Sequence, residues 1–336
     1  VAYLVKYYHA DAGVMLSASH NPFEYNGIKI FSNEGYKLLD SQEEEIEKII
    51  LDHLKPYQIR SGSEIGTITR AQSAADDYIN YLKTTVEGDL SGLRVALDCA
   101  NGSASVTAQK LFEGLGAHCD VFHADPNGCN INNHCGSTHI EEVAKLVKAG
   151  NYDVGLAFDG DADRCLAVDE NGELVDGDRL IALFAYHFKE QGKLKNNTLV
   201  ATVMSNLGLF KFAKAHDIET RATKVGDRYV LECMREEDFC IGGGQSGHII
   251  FRDFMPTGDG QLTGIQLLNL LKSFQKPLSE AAGVMRIFPQ TLLNIQATPK
   301  MKAALHSDDR VQDYIKRLDE QLGENGRVLV RPSGTE

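Results

Sequence analysis

The chain has 336 residues, 43% hydrophobic and 24% charged, the make-up of an ordinary soluble globular protein with room for two or three domains and real cores. Its 47 acidic residues outnumber 34 basic ones, and the net charge of -13 argues against nucleic acid or an anionic membrane as a generic partner. Any phosphate it binds must therefore be held by a local cluster of donors.

In chain order, VAYLVKYYHADAGVML reads as the second half of a helix running into a strand. Strands are expected at Ala12 to Leu16 and Gly27 to Phe31, then a Ser-capped helix from Ser41 whose acidic run, Glu43 to Glu45, is a solvated face near its N-terminus. RSGSEIGTIT, from Arg60, is the first linker. Next come a helix in AADDYINYLKTTV, a buried strand in LRVALDCANGSAS, a helix in VTAQKLFEGLG, and strands at AHCDVF and YDVGLAF around the helix EEVAKLVKAG. This βαβ series predicts a mostly parallel sheet. A second series follows, with helices LIALFAYHFKEQG and LGLFKFAKAH and strands TLVATV, ETRATKV and one beyond EEDFC. After a break near FPQTLLNIQATPK, an amphipathic helix ends in DEQLG and RVLVRP reads as a strand. The chain stops just beyond it, so both ends are expected to fall inside domains. Four units result: 1–72, 73–175, 176–288 and 289–336, the first and last incomplete. No apolar window approaches the roughly 18 residues of a membrane span, and no charged-then-apolar leader opens the sequence. The seven cysteines, an odd number in mostly apolar settings, suit a reducing compartment, so a cytoplasmic location is expected.

Chemistry concentrates in four loops. The first, in GVMLSASHNPFEYNGIKIF, puts Ser17, Ser19, His20 and Asn21 between two strands and strands a lone Lys29 in the second, more polar hardware than a turn needs. In the second, DGDADR, three carboxylates (Asp159, Asp161, Asp163) crowd a tight loop, which is costly unless a divalent cation neutralises them. All-oxygen ligands favour Mg²⁺, Ca²⁺ or Mn²⁺ over Zn²⁺. A calcium-loop template would take Asp159, Asp161, Asp163 and Glu170, but it needs glycine where Arg164 stands and a helix where a strand precedes, so Mg²⁺ is expected. The third loop, IGGGQSGHIIF, has Gly242, Gly244 and Gly247 in a G-x-G-x-x-G register; a strand-like HIIF follows, which disfavours a dinucleotide site. It leaves a turn presenting Ser246 and His248 to a polyhydroxylated ligand. In the fourth, RPSGTE, Arg331 supplies a planar fork, and Ser333, Gly334 and Thr335 can complete a phosphate cradle. Together the loops supply a hydroxyl, a metal site, a sugar-like site and a phosphate site, and Ser19 beside the metal could carry a phosphoryl group.

These four loops, in this order along essentially the whole chain, resemble the α-D-phosphohexomutase superfamily, and Ser-Ala-Ser-His-Asn-Pro with Gln245-Ser246-Gly247-His248 points to its bacterial phosphoglucosamine mutase branch. The resemblance implies three similar mixed α/β domains plus a smaller α+β C-terminal domain around one cleft. It also implies interconversion of glucosamine 6-phosphate and glucosamine 1-phosphate, through a phosphoserine and a glucosamine 1,6-bisphosphate that turns around in the cleft. Ser19 would be that phosphoserine and would bind Mg²⁺ with Asp159, Asp161 and Asp163; His20 and Lys29 would assist proton transfer, with Arg164 beside the metal loop. Gly244, Ser246 and His248 would meet the sugar, and Arg331, Ser333, Gly334 and Thr335 the idle phosphate. The partner is a small hexosamine phosphate, and a homodimer is compatible.

One departure matters: the family places Glu, an acceptor for sugar hydroxyls, where this chain has Gly244. The alternatives are a phosphomannomutase or phosphoglucomutase, a catalytically silent sugar-phosphate binder because of Gly244, and a Mg²⁺-dependent phosphatase using DGDADR alone. The stretch with His123, Cys129, His134, Cys135 and His139 lacks paired C-x-x-C or H-x₃₋₅-H spacing and reads as a loop near the cleft rather than a zinc site. VGDRYV, with Lys224 and Arg228 close by, reads as a basic loop either reaching the cleft or lying on the surface.

Overall fold

The computed structural model describes residues 1–51 and 60–331. Helix α1 (Ala2–Tyr7) lays Ala2 and Val5 on Phe31 of an antiparallel hairpin, β1 (Ala12–Leu16) with β2 (Ile28–Ser32), in a register that sets Met15 opposite Lys29. Helix α2 (Asp40–Leu51) buries no residue, and its acidic first turn faces solvent. Helix α3 (Ala74–Lys83) ties this unit to the next, because Tyr3 stacks on Tyr81 at 4.3 Å between centroids while Ile79 and Leu82 enter the main core.

The next unit runs β3 (Arg94–Asp98), α4 (Ala108–Glu113), β4 (His118–Phe122), α5 (Ile140–Gly150), β5 (Val154–Phe158), β6 (Cys165–Asp169) and β7 (Leu174–Val175). Its strand order is β4-β3-β5-β6-β7, with β3 parallel to both neighbours and β6 and β7 antiparallel. The sheet is thus mixed where a mostly parallel one is predicted. The reason is loop length: the six residues of DGDADR can close a hairpin return but not a helical crossover. Helix α5 covers one face through Val143 and Val147, and Leu97, Leu156 and Phe158 point into the main core on the other.

The third region runs α6 (Gly177–Glu190), β8 (Thr198–Thr202), α7 (Leu207–Ala215), β9 (Glu219–Thr223), α8 (Asp227–Glu236), β10 (Ile241–Gly243), β11 (Ile249–Phe251), α9 (Gly260–Phe274) and α10 (Leu278–Ala281). Its sheet, β11-β10-β8-β9, is parallel except for β11, and α8 packs Val230 and Met234 against Val200 and Ile250. The segment after Gly226, predicted as a basic loop, is helix α8. Helix α9 has no counterpart among the predicted elements, and it is buried along most of its length. It packs on β5, β6 and α6, so close that a Cβ on Gly264 would stand 2.9 Å from both Leu156 and Phe112. The two sheets therefore share one continuous core.

Helices α11 (Pro299–Ser307) and α12 (Asp309–Leu322) follow. Among the described residues, 327–331 form no strand, contrary to the prediction, because no neighbouring strand offers them a ladder.

Candidate active site

Ser19 sits in the β1–β2 connection with φ of 56°, a left-handed conformation uncommon for a non-glycine residue. Three hydrogen bonds fix it. Its N–H donates to Ser17 Oγ at 2.9 Å, its carbonyl accepts from Asn132 Nδ2 at 2.9 Å, and its own Oγ donates to Asp159 Oδ2 at 2.7 Å. The same Asn132 amide donates to the Asn21 carbonyl at 2.9 Å, so one buried side chain from the second unit clamps the serine turn of the first. Asn132 was not among the predicted site residues. Its signal was an Asn-rich loop, INNH, whose Asn132 itself takes positive φ.

DGDADR connects β5 to β6, at the carboxyl end of a strand buried on both faces. The carboxylates of Asp159, Asp161 and Asp163 lie within 4.8 Å of one another. Asp159 is wholly buried; burial, with Asp163 and Asp161 beside it, pushes its carboxyl up to about 7. Burial acts upward on Asp163 as well, but His248 and Lys29 outweigh it and hold that carboxyl far below its ordinary range. Lys29 forms an ion pair with Asp161 and lies 3.5 Å from Asp163; burial works against its charge, but the two carboxylates outweigh it and raise its ammonium above the usual value. Arg164 donates its N–H to Asp159 Oδ1 at 3.1 Å, and its Nε lies 3.8 Å from Asp159 and 3.9 Å from Asp163. His20 keeps a solvent-exposed edge beside this group, and partial burial of its ring, then the Arg164 charge, lowers its titration.

A divalent cation fits this set. Asp161 Oδ1 and Asp163 Oδ1 are buried without a hydrogen-bond partner, and every donor atom offered, Ser19 Oγ included, is oxygen.

The glycine loop meets the Asp loop directly: Cys165 N–H donates to the Gly247 carbonyl at 3.0 Å. His248 turns inward, its Nδ1 3.5 Å from Asp163 and its Nε2 3.8 Å from Asp227. Asp227 in turn pairs with Lys37, and the neighbouring Arg228 pairs with Asp40, so the first unit is tied to α8 at two points. Lys37, Asp40 and Asp227 went unnoticed in the sequence because each is an ordinary charge there; Lys224 is exposed and lies over the Tyr229 ring. Ser246 is exposed. A Cβ on Gly244 would meet only Thr202, at 3.4 Å and beyond, so the backbone there accepts a Cβ in ordinary contact. Gln245 donates to Asp176 Oδ2 at 3.1 Å and to Gln290 Oε1 at 3.0 Å.

Arg331 is exposed, and Ser333, Gly334 and Thr335 lie outside the described residues. The Cys/His-rich stretch does adjoin the cleft, through Asn132.

Family models for phosphoglucomutase/phosphomannomutase match in series: alpha/beta/alpha domain I at residues 1–56, domain II at 76–172, domain III at 176–288, and the C-terminal domain at 292–336. The phosphoglucosamine mutase of Acetivibrio thermocellus is 54% identical over 336 residues, all of this chain and 75% of that protein. That of Shouchella clausii is 53% identical over the same shares. Among solved structures, the N-acetylphosphoglucosamine mutase of Aspergillus fumigatus in complex with GlcNAc-6P and magnesium shares the fold, with a TM-score of 0.71 at 20% identity over 97% of this chain and 83% of that one. The loop order read from the sequence, the two fused sheets and these likenesses agree: the chain belongs to the α-D-phosphohexomutase superfamily, in its phosphoglucosamine mutase family.

Proposed function

We propose that this chain interconverts glucosamine 6-phosphate and glucosamine 1-phosphate by passing a phosphoryl group on and off Ser19. The observation that carries the reading is the hydroxyl of Ser19, from the first unit, held 2.7 Å from Asp159 within a group of three carboxylates from the second. Asp159, Asp161, Asp163 and the phosphorylated Ser19 would hold Mg²⁺. When bound, Mg²⁺ neutralises charge on the transferring phosphoryl group.

The chain's own residues do the rest. The Asn132 clamp and the Ser17 bond fix Ser19 for in-line transfer, which is chiefly a matter of positioning. Lys29, and His20 at the rim, exchange the proton of the sugar hydroxyl that gains or loses the phosphoryl group. Arg164 adds positive charge beside the same loop. On this reading the units 1–72, 73–175, 176–288 and 289–336 each bring one loop to the cleft, the last supplying Arg331, Ser333, Gly334 and Thr335 to the idle phosphate. Glucosamine 1,6-bisphosphate is the intermediate, and it turns around so that its other phosphate returns to Ser19.

The test is an assay of the full chain, phosphorylated on Ser19, with glucosamine 6-phosphate, Mg²⁺ and catalytic glucosamine 1,6-bisphosphate. Formation of glucosamine 1-phosphate that vanishes in Ser19→Ala supports the reading. Stoichiometric release of inorganic phosphate in place of isomer would assign a phosphatase instead.

A further inference from the structure

The three-aspartate group is not the one metal-competent cluster at this end of the five-stranded sheet. Asp98 is the last residue of β3, His123 follows β4 directly, and Cys135 lies in the loop between β4 and α5. One carboxylate oxygen, one ring nitrogen and one sulfur from these residues lie within 4.8 Å of one another. We propose that Asp98, His123 and Cys135 form a second metal site, separate from the aspartate loop, that takes a borderline-soft divalent cation of the zinc class.

The geometry around His123 is the main argument. Its Nδ1 is 3.1 Å from Asp98 Oδ2, yet this buried nitrogen makes no hydrogen bond. Ring and carboxylate lie side by side without addressing each other, as two ligands aimed at a common third body do. Two ligands about 2.0–2.1 Å from a tetrahedral zinc stand roughly 3.3 Å apart, close to this separation.

The carboxylate is held for that purpose. Asp98 Oδ1 accepts from the Ala100 N–H and Oδ2 from the Gly136 N–H, each at 2.9 Å, an outer shell of the kind that orients a ligating group. Cys135 is wholly buried, and its sulfur receives only a long contact, 3.8 Å, from Asn101 Nδ2. Binding would replace the thiol proton of Cys135, released to solvent, by the ion.

Chemistry separates the two sites. Three carboxylates and a hydroxyl suit a hard cation, whereas an oxygen, nitrogen and sulfur set suits zinc or cobalt. The ligands come from three segments, so paired-ligand spacing cannot reveal them in the sequence. The loop they brace is the one that carries Asn132, the clamp on Ser19.

Cobalt is the probe, because a thiolate ligand gives it a charge-transfer absorption that an all-oxygen site cannot give. The full chain, stripped with chelator and kept in excess Mg²⁺, is titrated with Co²⁺. The expected result is one tightly held equivalent, a thiolate-to-cobalt band and a higher Tm. Cys135→Ala should lose both the band and the Tm rise, while Cys129→Ala, at an exposed cysteine in the same loop, should keep them. Should Cys135→Ala fold poorly, His123→Asn serves, since Asn suits the φ of 49° there, and it should weaken Co²⁺ binding at least about tenfold. Absence of the band in the unaltered chain, a band that survives Cys135→Ala, or unchanged Co²⁺ affinity in His123→Asn would overturn the proposal.

Discussion

The loop at Asp159 and the segment at 299–331 are opposites in how they are held. Around Asp159, hydrogen bonds converge from three directions: Ser19 from the first unit, the Arg164 backbone from within, and the Gly260 N–H, which reaches the Ala162 carbonyl at 2.9 Å from the head of α9. Helix α12, by contrast, buries no residue. Its neighbourhood meets the third region through Arg327, which donates to the Ser205 carbonyl and lies 5.2 Å over the Phe210 ring, and through a 3.5 Å contact between Lys211 and Asn325. The difference teaches a division of labour: atoms that must be placed for chemistry stand on a shared core, and the part proposed to grip the idle phosphate is attached where it can yield, as the proposed turn of the bisphosphate would require.

Breaking the rigid side should cost most. Ser19→Ala is expected to lower turnover by at least about 10⁴-fold, with Ser19→Gly, which suits the φ of 56°, as the control for backbone strain. Both should also weaken Mg²⁺ binding by calorimetry, because each removes one of the four proposed ligands, and residual turnover above that limit would remove Ser19 from its role. Asn132→Ala deletes two bonds to the serine turn and should reduce kcat about 10- to 100-fold with little change in KM. An effect on KM alone would show that the clamp serves binding instead.

Gly244→Glu sharpens the comparison from the sugar side. The backbone accepts a Cβ there, and a carboxylate accepting from ring hydroxyls is worth about 1.5–3 kcal/mol, so KM for the sugar phosphate should fall roughly 10- to 150-fold. A rise in KM would mean that this loop does not face the sugar.

Asp178 tests a buried charge near the yielding side. Burial pushes its carboxyl up to about 6, against an ordinary value of 3.8. The folded state therefore holds a proton that the unfolded state has lost between those values, so stability falls as pH rises from about 4 to 6 and stays low above. Asp178→Asn should flatten that stretch of the curve, by on the order of 2–3 kcal/mol at most, in urea unfolding from pH 4 to 7.5. A parallel curve for both proteins would contradict it. Smallest of all, Arg327→Ala should speed limited proteolysis at 289–331 several-fold and leave the main melting transition within about 1 kcal/mol.

What could be read in the sequence was what is local. The SASHNP turn, three aspartates at alternate positions and the glycine turn before β11 announce themselves through residue type and spacing, and the first two meet through the Ser19–Asp159 bond. What escaped was whatever depends on a distant partner. Helix α9 is buried nearly all round, with Gln261, Thr263 and Gln266 buried among its leucines, so it shows no clean amphipathic stripe; only the sheet and helices packed on its sides explain it. The expected strand at RVLVRP has the right residues, but among the described residues no strand pairs with it. Asn132, Lys37 and Asp227 are ordinary polar residues until the fold sets them against Ser19, His248 and each other. The fourth loop is legible as a motif only, since residues beyond Arg331 lie outside the described part of the chain.

Helix α9 also sets a schedule for biosynthesis. Strands β3 to β7 are complete once residue 175 has left the ribosome, with α4 already against one side of their sheet, but the part that α9 covers stays open until residues 260–274 emerge. At translation rates of about 5–20 residues per second, some 100 residues correspond to roughly 5–20 s of exposed apolar surface on a nascent chain. A break in the polypeptide anywhere in that interval would leave neither fragment with a closed core.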